Sequence, residues 1–277
     1  MSSPATQNAD EVGGIYDAMS DLFEIFHGNI HLGYWTGDDD PAPLPVALER
    51  LTDLVAETLA LAPGQRLLDV GCGLGVPAIR IAQRCDVRIT GVTVSAWQAA
   101  EATRRATAAG VGDRVTARHA DAAALPFPDA CFDAVLAFDS LPNAVDRRQW
   151  LREVRRVLRP GGRFAVTDYP AEAPLTPRDR EVLATHAILD PPTASELDDL
   201  VAAAGLVVDQ RHDWGTRVVR TYDEVSTLFR TRDDTLSDTY GAERVRAFEE
   251  GLAPVFEVSR AKLGYLLLAG RRPEDAR

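Results

Sequence analysis

From Gln65 onward, short apolar runs alternate with stretches of helical spacing. Arg66-Leu67-Leu68-Asp69-Val70 is a compact apolar run ending in a glycine-rich turn, which predicts a first strand. Val76 to Arg84 has helical spacing. Val87 to Thr93 predicts a second strand, and Ser95 to Ala109 an alanine-rich helix closed by Gly110. Val115 to His119 and Phe132 to Phe138 predict strands three and four. Arg147 to Leu158 predicts a helix stopped by Pro160-Gly161-Gly162, and Arg163 to Asp168 a fifth strand. Strands and helices in alternation imply a parallel sheet covered by helices on both faces.

The pattern changes after Asp168. Ala171 to Pro192 is proline-rich and no helix is predicted in it. Ser195 to Ala204 predicts a helix capped by Thr193 or Ser195 and closed by Gly205, and Leu206 to Asp209 begins a sixth strand. Tyr222 to Lys262 predicts two or three helices, followed by a last strand at Gly264 to Gly270. The chain before Gln65 also predicts helices, at Glu11 to Phe26 and Pro45 to Leu61. The expected fold is a Rossmann-like α/β doubly wound sheet of seven strands with a helical lid. The lid comes from an N-terminal segment (1–64) and from an insertion before the last strand (216–263). The core occupies 65–215, and the last strand and tail 264–277.

Asp69-Val70-Gly71-Cys72-Gly73-Leu74-Gly75 closes the first strand. Glycines there permit a tight turn and close approach of a ligand, and the next helix points its positive end at the crevice. A dinucleotide fingerprint would place glycine at position 76, which is Val76. It would also place an acid at the end of strand two, but that strand ends Gly91-Val92-Thr93-Val94-Ser95. Asp69 instead suits a cationic amine, and Asp121 after strand three can accept from an adenine amino group. These edges fit S-adenosylmethionine better than NAD.

Composition narrows the partners. The chain has 277 residues and a formal charge of -12, so its field repels phosphate backbones and nucleic acid is not an expected partner. Its basic residues are arginine except Lys262, a sign of GC-rich coding. Cys72, Cys85 and Cys131 are scattered and imply neither a disulfide framework nor a metal site. No apolar run approaches the ~20 residues of a membrane span, and the polar start of the chain has no signal-peptide character. A cytoplasmic protein acting on a small molecule, as a monomer or homodimer, is the expectation.

Several stretches together resemble class I methyltransferases, in the branch that modifies sugars and other natural products. They are Ile15-Tyr16-Asp17, Asn29-Ile30-His31-Leu32-Gly33-Tyr34-Trp35, Leu68 to Gly73, Gly91 to Ser95 with Gln98, and His119-Ala120-Asp121-Ala122. Leu125-Pro126-Phe127, Phe132-Asp133-Ala134-Val135 and Val157 to Gly162 continue the series. The resemblance implies that Asp69, Gly71, Cys72 and Gly73 hold the methionyl part of the cofactor. Thr93 and Gln98 would meet the ribose, and Asp121 and Ala122 the adenine. Phe138 completes the set, and Tyr16 and Tyr34 would close over it from the lid. The bland reading of Tyr16, His31, Tyr34 and Trp35 is an apolar staple between lid and core.

The chain departs from this branch after strand four. The branch has Ser-Leu-His-His there, with a histidine as general base; this chain has Asp139-Ser140-Leu141-Pro142-Asn143. Asn143 stands in the catalytic position but cannot take a proton. Asp168, at the end of strand five, and His186, in the proline-rich segment, are the replacement candidates. Alternatively the acceptor needs no strong base, or methyl transfer is lost. In the last case the protein is a methyltransferase-like cyclase (a pericyclase) that keeps the cofactor as scaffold, or a non-catalytic cofactor-binding partner. His27 and His212 are ambiguous, and His119 reads as structural. Asp38-Asp39-Asp40 reads as a solvated loop. Trp214, Phe229, Phe248 and Phe256 either line an apolar acceptor pocket or form lid core.

Overall fold

The computed structural model describes residues 9–19, 22–26 and 28–274. His27 lies outside the described residues. The helices are α1 (Ala9–Met19), α2 (Leu44–Thr58), α3 (Val76–Arg84), α4 (Ala96–Ala108), α5 (Arg147–Val157), α6 (Pro177–Ala184), α7 (Ala194–Ala203), α8 (Gly215–Val218), α9 (Arg220–Tyr240) and α10 (Ala242–Lys262). The strands are β1 (Arg66–Val70), β2 (Arg88–Thr93), β3 (Val115–His119), β4 (Phe132–Ala137), β5 (Leu158–Asp168), β6 (Val207–Asp213) and β7 (Leu266–Arg271).

The seven strands form one sheet in the order β3-β2-β1-β4-β5-β7-β6. The first five run parallel, but β7 is antiparallel to both β5 and β6, so the sheet is mixed rather than wholly parallel. Sequence order turns back between β1 and β4, and the crevice outside the carboxyl ends of such strands is where doubly wound sheets bind ligands. Leu51, Val55, Ile81 and Ala106 of α2, α3 and α4 cover one face. Leu151, Val154, Leu197 and Val201 of α5 and α7 cover the other. The lid has its own apolar centre, in which Phe23, Trp35 and Leu48 meet Val225, Phe229 and Phe248.

Local chemistry explains most element ends. Ser95 caps α4, Asp146 caps α5, and Thr193 with Glu196 forms a capping box on α7. Three expectations change. The helix expected over Glu11–Phe26 is α1 followed by a separate 3-10 turn at Leu22–Phe26. β5 begins at Leu158, so Pro160-Gly161-Gly162 lies inside the strand. The proline-rich segment holds α6, because Thr176 and Asp179 build a capping box and Pro177 occupies the first turn, where a missing N–H costs nothing. No helix among the described residues is long and apolar enough to cross a membrane.

Candidate active site

A crevice of about 520 Å3 opens at the β1/β4 reversal, within the size range of small-molecule sites. The glycine-rich turn forms its floor: the N–H groups of Gly71 and Cys72 both donate to Val92 O, which ties the turn to β2. Gly71 has φ +79°, and a Cβ there would stand 2.2 Å from Ser140 Cβ. Gly73 has φ +49° and faces Ile30 of the lid. Both positions therefore require glycine for conformation, and Gly71 for space as well.

Asp69 carries the strongest mark of a missing partner. It is 2% exposed, and its Oδ2 has no hydrogen-bond donor among the described residues. Burial pushes its carboxyl up to about 7. The neighbouring Cys72 thiol is pushed well above its ordinary value, first by burial and then by the Asp69 charge. A buried carboxylate without a donor is costly unless a ligand completes it. An ammonium group reaching it from the turn would do so, and S-adenosylmethionine carries one beside its sulfonium. The residues present fit that cofactor.

The other walls come from the neighbouring strand ends. Thr93, Gln98, Asp121, Ala122 and Phe138 line the crevice with Gly71, Cys72 and Gly73. The Thr93 hydroxyl donates to Gln98 Oε1 at 2.9 Å, and the Ser95 hydroxyl accepts from Gln98 N. Asp121 accepts from Ala123 N at 2.8 Å, which fixes its side chain at the crevice edge. From the lid, the Tyr16 hydroxyl donates to Asn143 Oδ1 at 3.1 Å, and Asn143 Nδ2 donates to Ala187 O at 2.8 Å. Burial holds the Tyr16 hydroxyl up at about 12. Ser95 also bonds Asp17, and Arg105 pairs with Glu24, so two further polar contacts tie the lid to α4.

Four expected site residues are not in the crevice wall. Asp69, on β1 next to the glycine turn, is buried and does not itself line the crevice. Tyr34 is not in the crevice wall; its ring meets Trp214 edge-on at 5.5 Å and its N–H donates to Ala47 O. It staples lid to core. Asp168 is not a base facing the crevice. It is fully buried, paired with Arg147 (Nε to Oδ2 2.7 Å), and its Oδ1 accepts from Tyr169 N at 2.8 Å. His186 sits in the turn after α6, where Nδ1 is 2.9 Å from Thr185 Oγ1 and the ring lies near Gly251 of α10. Asn143 does line the crevice, as expected, but its amide is occupied as a lid fastening. Trp214 packs with Tyr34 and His212 rather than in the lid.

Two groups that sequence reasoning undervalued face the crevice. His31 stacks on Phe138 at 4.4 Å between centroids, with Nδ1 2.8 Å from Leu32 O and Nε2 3.1 Å from Thr52 Oγ1. A carbonyl partner requires the proton on Nδ1, so Nε2 carries the lone pair. Burial lowers the imidazole's pKa, opposed by the nearby Asp139 charge. Asp139, at φ +50°, gathers three strand ends. Its Oδ1 accepts from Thr167 and Tyr265 hydroxyls, both at 2.6 Å, and its Oδ2 from Tyr169 at 2.8 Å. The sequence signal for His31 was its place in the Asn29–Trp35 stretch. Asp139 gave none, because its partners lie up to 126 positions away.

The sheet order and the glycine-rich turn are those the resemblance to class I methyltransferases implies. Residues 68–166 match the Methyltransferase domain family. The chain is 39% identical to "27-O-demethylrifamycin SV methyltransferase" of Amycolatopsis mediterranei (strain S699), over 96% of this chain and 98% of that one. It is 34% identical to "Methyltransferase GfsG" of Streptomyces halstedii, over 95% and 94%. Its fold is similar to the crystal structure of the [4+2]-cyclase SpnF, with a TM-score of 0.84 and 33% identity over 98% of both chains. The chain belongs to the S-adenosylmethionine-dependent class I methyltransferases of natural-product type.

Proposed function

We propose that this methyltransferase transfers its methyl group to a hydroxyl of a small secondary metabolite, and that His31 receives the hydroxyl proton. The carrying observation is that His31 lines the crevice as a neutral imidazole whose Nε2 lone pair meets only the Thr52 hydroxyl, while both oxygens of Asp139 already have donors. The similar protein from Amycolatopsis is named as a methyltransferase of 27-O-demethylrifamycin SV.

S-adenosylmethionine, when bound, supplies an electrophilic methyl group on a sulfonium. The chain's own residues bind, orient and dehydrate. Asp69 holds the ammonium, and the Gly71–Gly73 turn lets the backbone come close. Tyr16, Asp17 and Glu24 fasten the lid and exclude water. The Thr52 hydroxyl has one proton and two acceptors in reach, Nε2 of His31 and Leu48 O at 3.3 Å. When it serves Leu48, the Nε2 lone pair is left without a donor. Nε2 would take the hydroxyl proton while the methyl group leaves sulfur for oxygen and S-adenosylhomocysteine is released, and the Asp139 charge would balance the resulting imidazolium.

A second reading rests on Pro142 and Asn143, which remove the branch's usual base, together with the likeness to a cyclase. In that reading the cofactor is scaffold. The test is incubation with methyl-labelled S-adenosylmethionine and a metabolite extract from the native host lacking the gene. Label appearing on oxygen in a product supports the proposal. A metabolite replaced by an unlabelled isomer of equal mass refutes it and selects the cyclase.

A further inference from the structure

The lid holds a second cavity, of about 120 Å3, between the Leu22–Phe26 turn, α2, α9 and α10. Ile30 and His31 wall both this cavity and the large crevice. Building on the methyltransferase reading, we propose that the lid cavity is the acceptor's hydrocarbon subsite. It takes an uncharged apolar group about the size of a benzene ring and so presents a hydroxyl on that group to His31.

The lining decides the class of ligand. None of the described residues around the cavity carries a formal charge. Its few polar groups are already engaged: the Asn29 amide donates to Phe26 O at 3.3 Å, and the Thr221 hydroxyl accepts from Gly33 N at 2.9 Å. A charged group entering here would lose its water and find no counterpart. The remaining wall is hydrocarbon, chiefly Phe23, Phe248, Phe256, Leu48 and Val225. Phe23 and Phe248 meet edge-on at 81°, which stiffens that wall.

Size and continuity decide the occupant. Protein interiors hold few voids larger than a water, and a dry apolar cavity of roughly 150 Å3 binds benzene. A cavity of 120 Å3 therefore suits a ring or a branched alkyl group of similar or slightly smaller bulk. It shares Ile30 and His31 with the crevice wall, so His31 stands at the junction. Asn29 and Thr221 are engaged within the protein, so a molecule seated there by its apolar end has His31 as the polar group shared with the crevice.

The test is an NMR titration of the full-length, isotope-labelled protein with benzyl alcohol, compared with benzylamine and benzoate at neutral pH. Each titration is repeated with saturating S-adenosylhomocysteine. Benzyl alcohol is expected to shift the Thr221, Val225 and Phe248 amides saturably, with or without the cofactor product, and the two ions to leave them unmoved. Val225→Phe, which fills the space, should abolish the response while S-adenosylhomocysteine still binds. Leu252→Phe, at a half-buried position, is the second filling variant should the first lose its fold. Unchanged binding in a folded filling variant, equal binding of either ion, or displacement of benzyl alcohol by S-adenosylhomocysteine would overturn the subsite. Wild-type protein that binds benzyl alcohol at these amides but never S-adenosylhomocysteine would refute the methyltransferase reading and leave the hydrocarbon site standing.

Discussion

Thr167 and Asp168 are neighbours on β5, and their side chains serve opposite faces of the sheet. The Thr167 hydroxyl donates to Asp139, which lines the crevice, whereas Asp168 receives Arg147 Nε at 2.7 Å on the opposite face. Strand alternation imposes this division. Arg147 also donates to the carbonyl of Leu189 at 2.6 Å, so the pair anchors the loop whose Ala187 carbonyl holds Asn143.

Asp168→Asn is therefore expected to act on stability. Breaking a buried pair by removing one partner costs about 3–5 kcal/mol. Urea unfolding should show a loss of that order, while the pH midpoint of any residual methyl transfer stays where the wild type has it. A folded Asp168→Asn protein of normal stability whose pH profile has lost a limb would make Asp168 the base after all.

His31→Asn should lower methyl transfer by about 10²–10⁴, the usual contribution of a general base. Calorimetric affinity for S-adenosylhomocysteine should be unaltered, since His31 is assigned to the acceptor. His186→Ala, remote from the crevice wall, should leave turnover as it is. The reverse ranking of the two variants would move the base to the α6 turn.

Gly71→Ala brings a Cβ to 2.2 Å from Ser140 Cβ at a φ of +79°. Overpacking of this kind typically costs about 1–3 kcal/mol. The variant should melt lower and bind S-adenosylhomocysteine weakly, because relief of the clash moves the turn that floors the crevice. Gly64→Ala, also at positive φ but with nothing within 4 Å, is the control for backbone strain alone. Equal loss of cofactor binding in both would show that strain, not the Ser140 contact, sets the effect.

Local chemistry was legible in the sequence, and long-range chemistry was not. The glycine turn and the cap of α7 are set by residues close together in the chain, and the crevice-lining Thr93, Gln98 and Asp121 lie in short stretches that carry the family resemblance. α6 was legible in principle: Thr176 and Asp179 announce a capping box, but the surrounding prolines drew attention as breakers. The direction of β7 was not legible, since antiparallel pairing to β5 and β6 leaves no mark in its apolar run. Asp168 shows how an acid in the expected place can face the wrong way. Its alternation with Thr167 is readable, but which side faces the crevice depends on Asp139 and Arg147.

The buried Oδ2 of Asp69 lacks a donor, and we propose that the cofactor's cationic amine supplies it. In the folded chain alone its carboxyl is raised from 3.8 to about 7 by burial. The folded state then binds the extra proton between those values, so Asp69 makes stability fall as pH rises through that window. Ligand binding has the opposite sign: the ammonium needs the ionised carboxylate, so affinity is greatest above pH 7 and declines below it. The most direct measurement is calorimetric titration of S-adenosylhomocysteine into wild-type and Asp69→Asn protein near pH 8 and pH 5.5. Wild type should bind tighter at the higher pH, and Asp69→Asn should lose about ten- to hundredfold there, the worth of a charge-assisted hydrogen bond. Wild-type affinity that does not vary with pH, together with an Asp69→Asn protein that binds as tightly as wild type, would contradict the site.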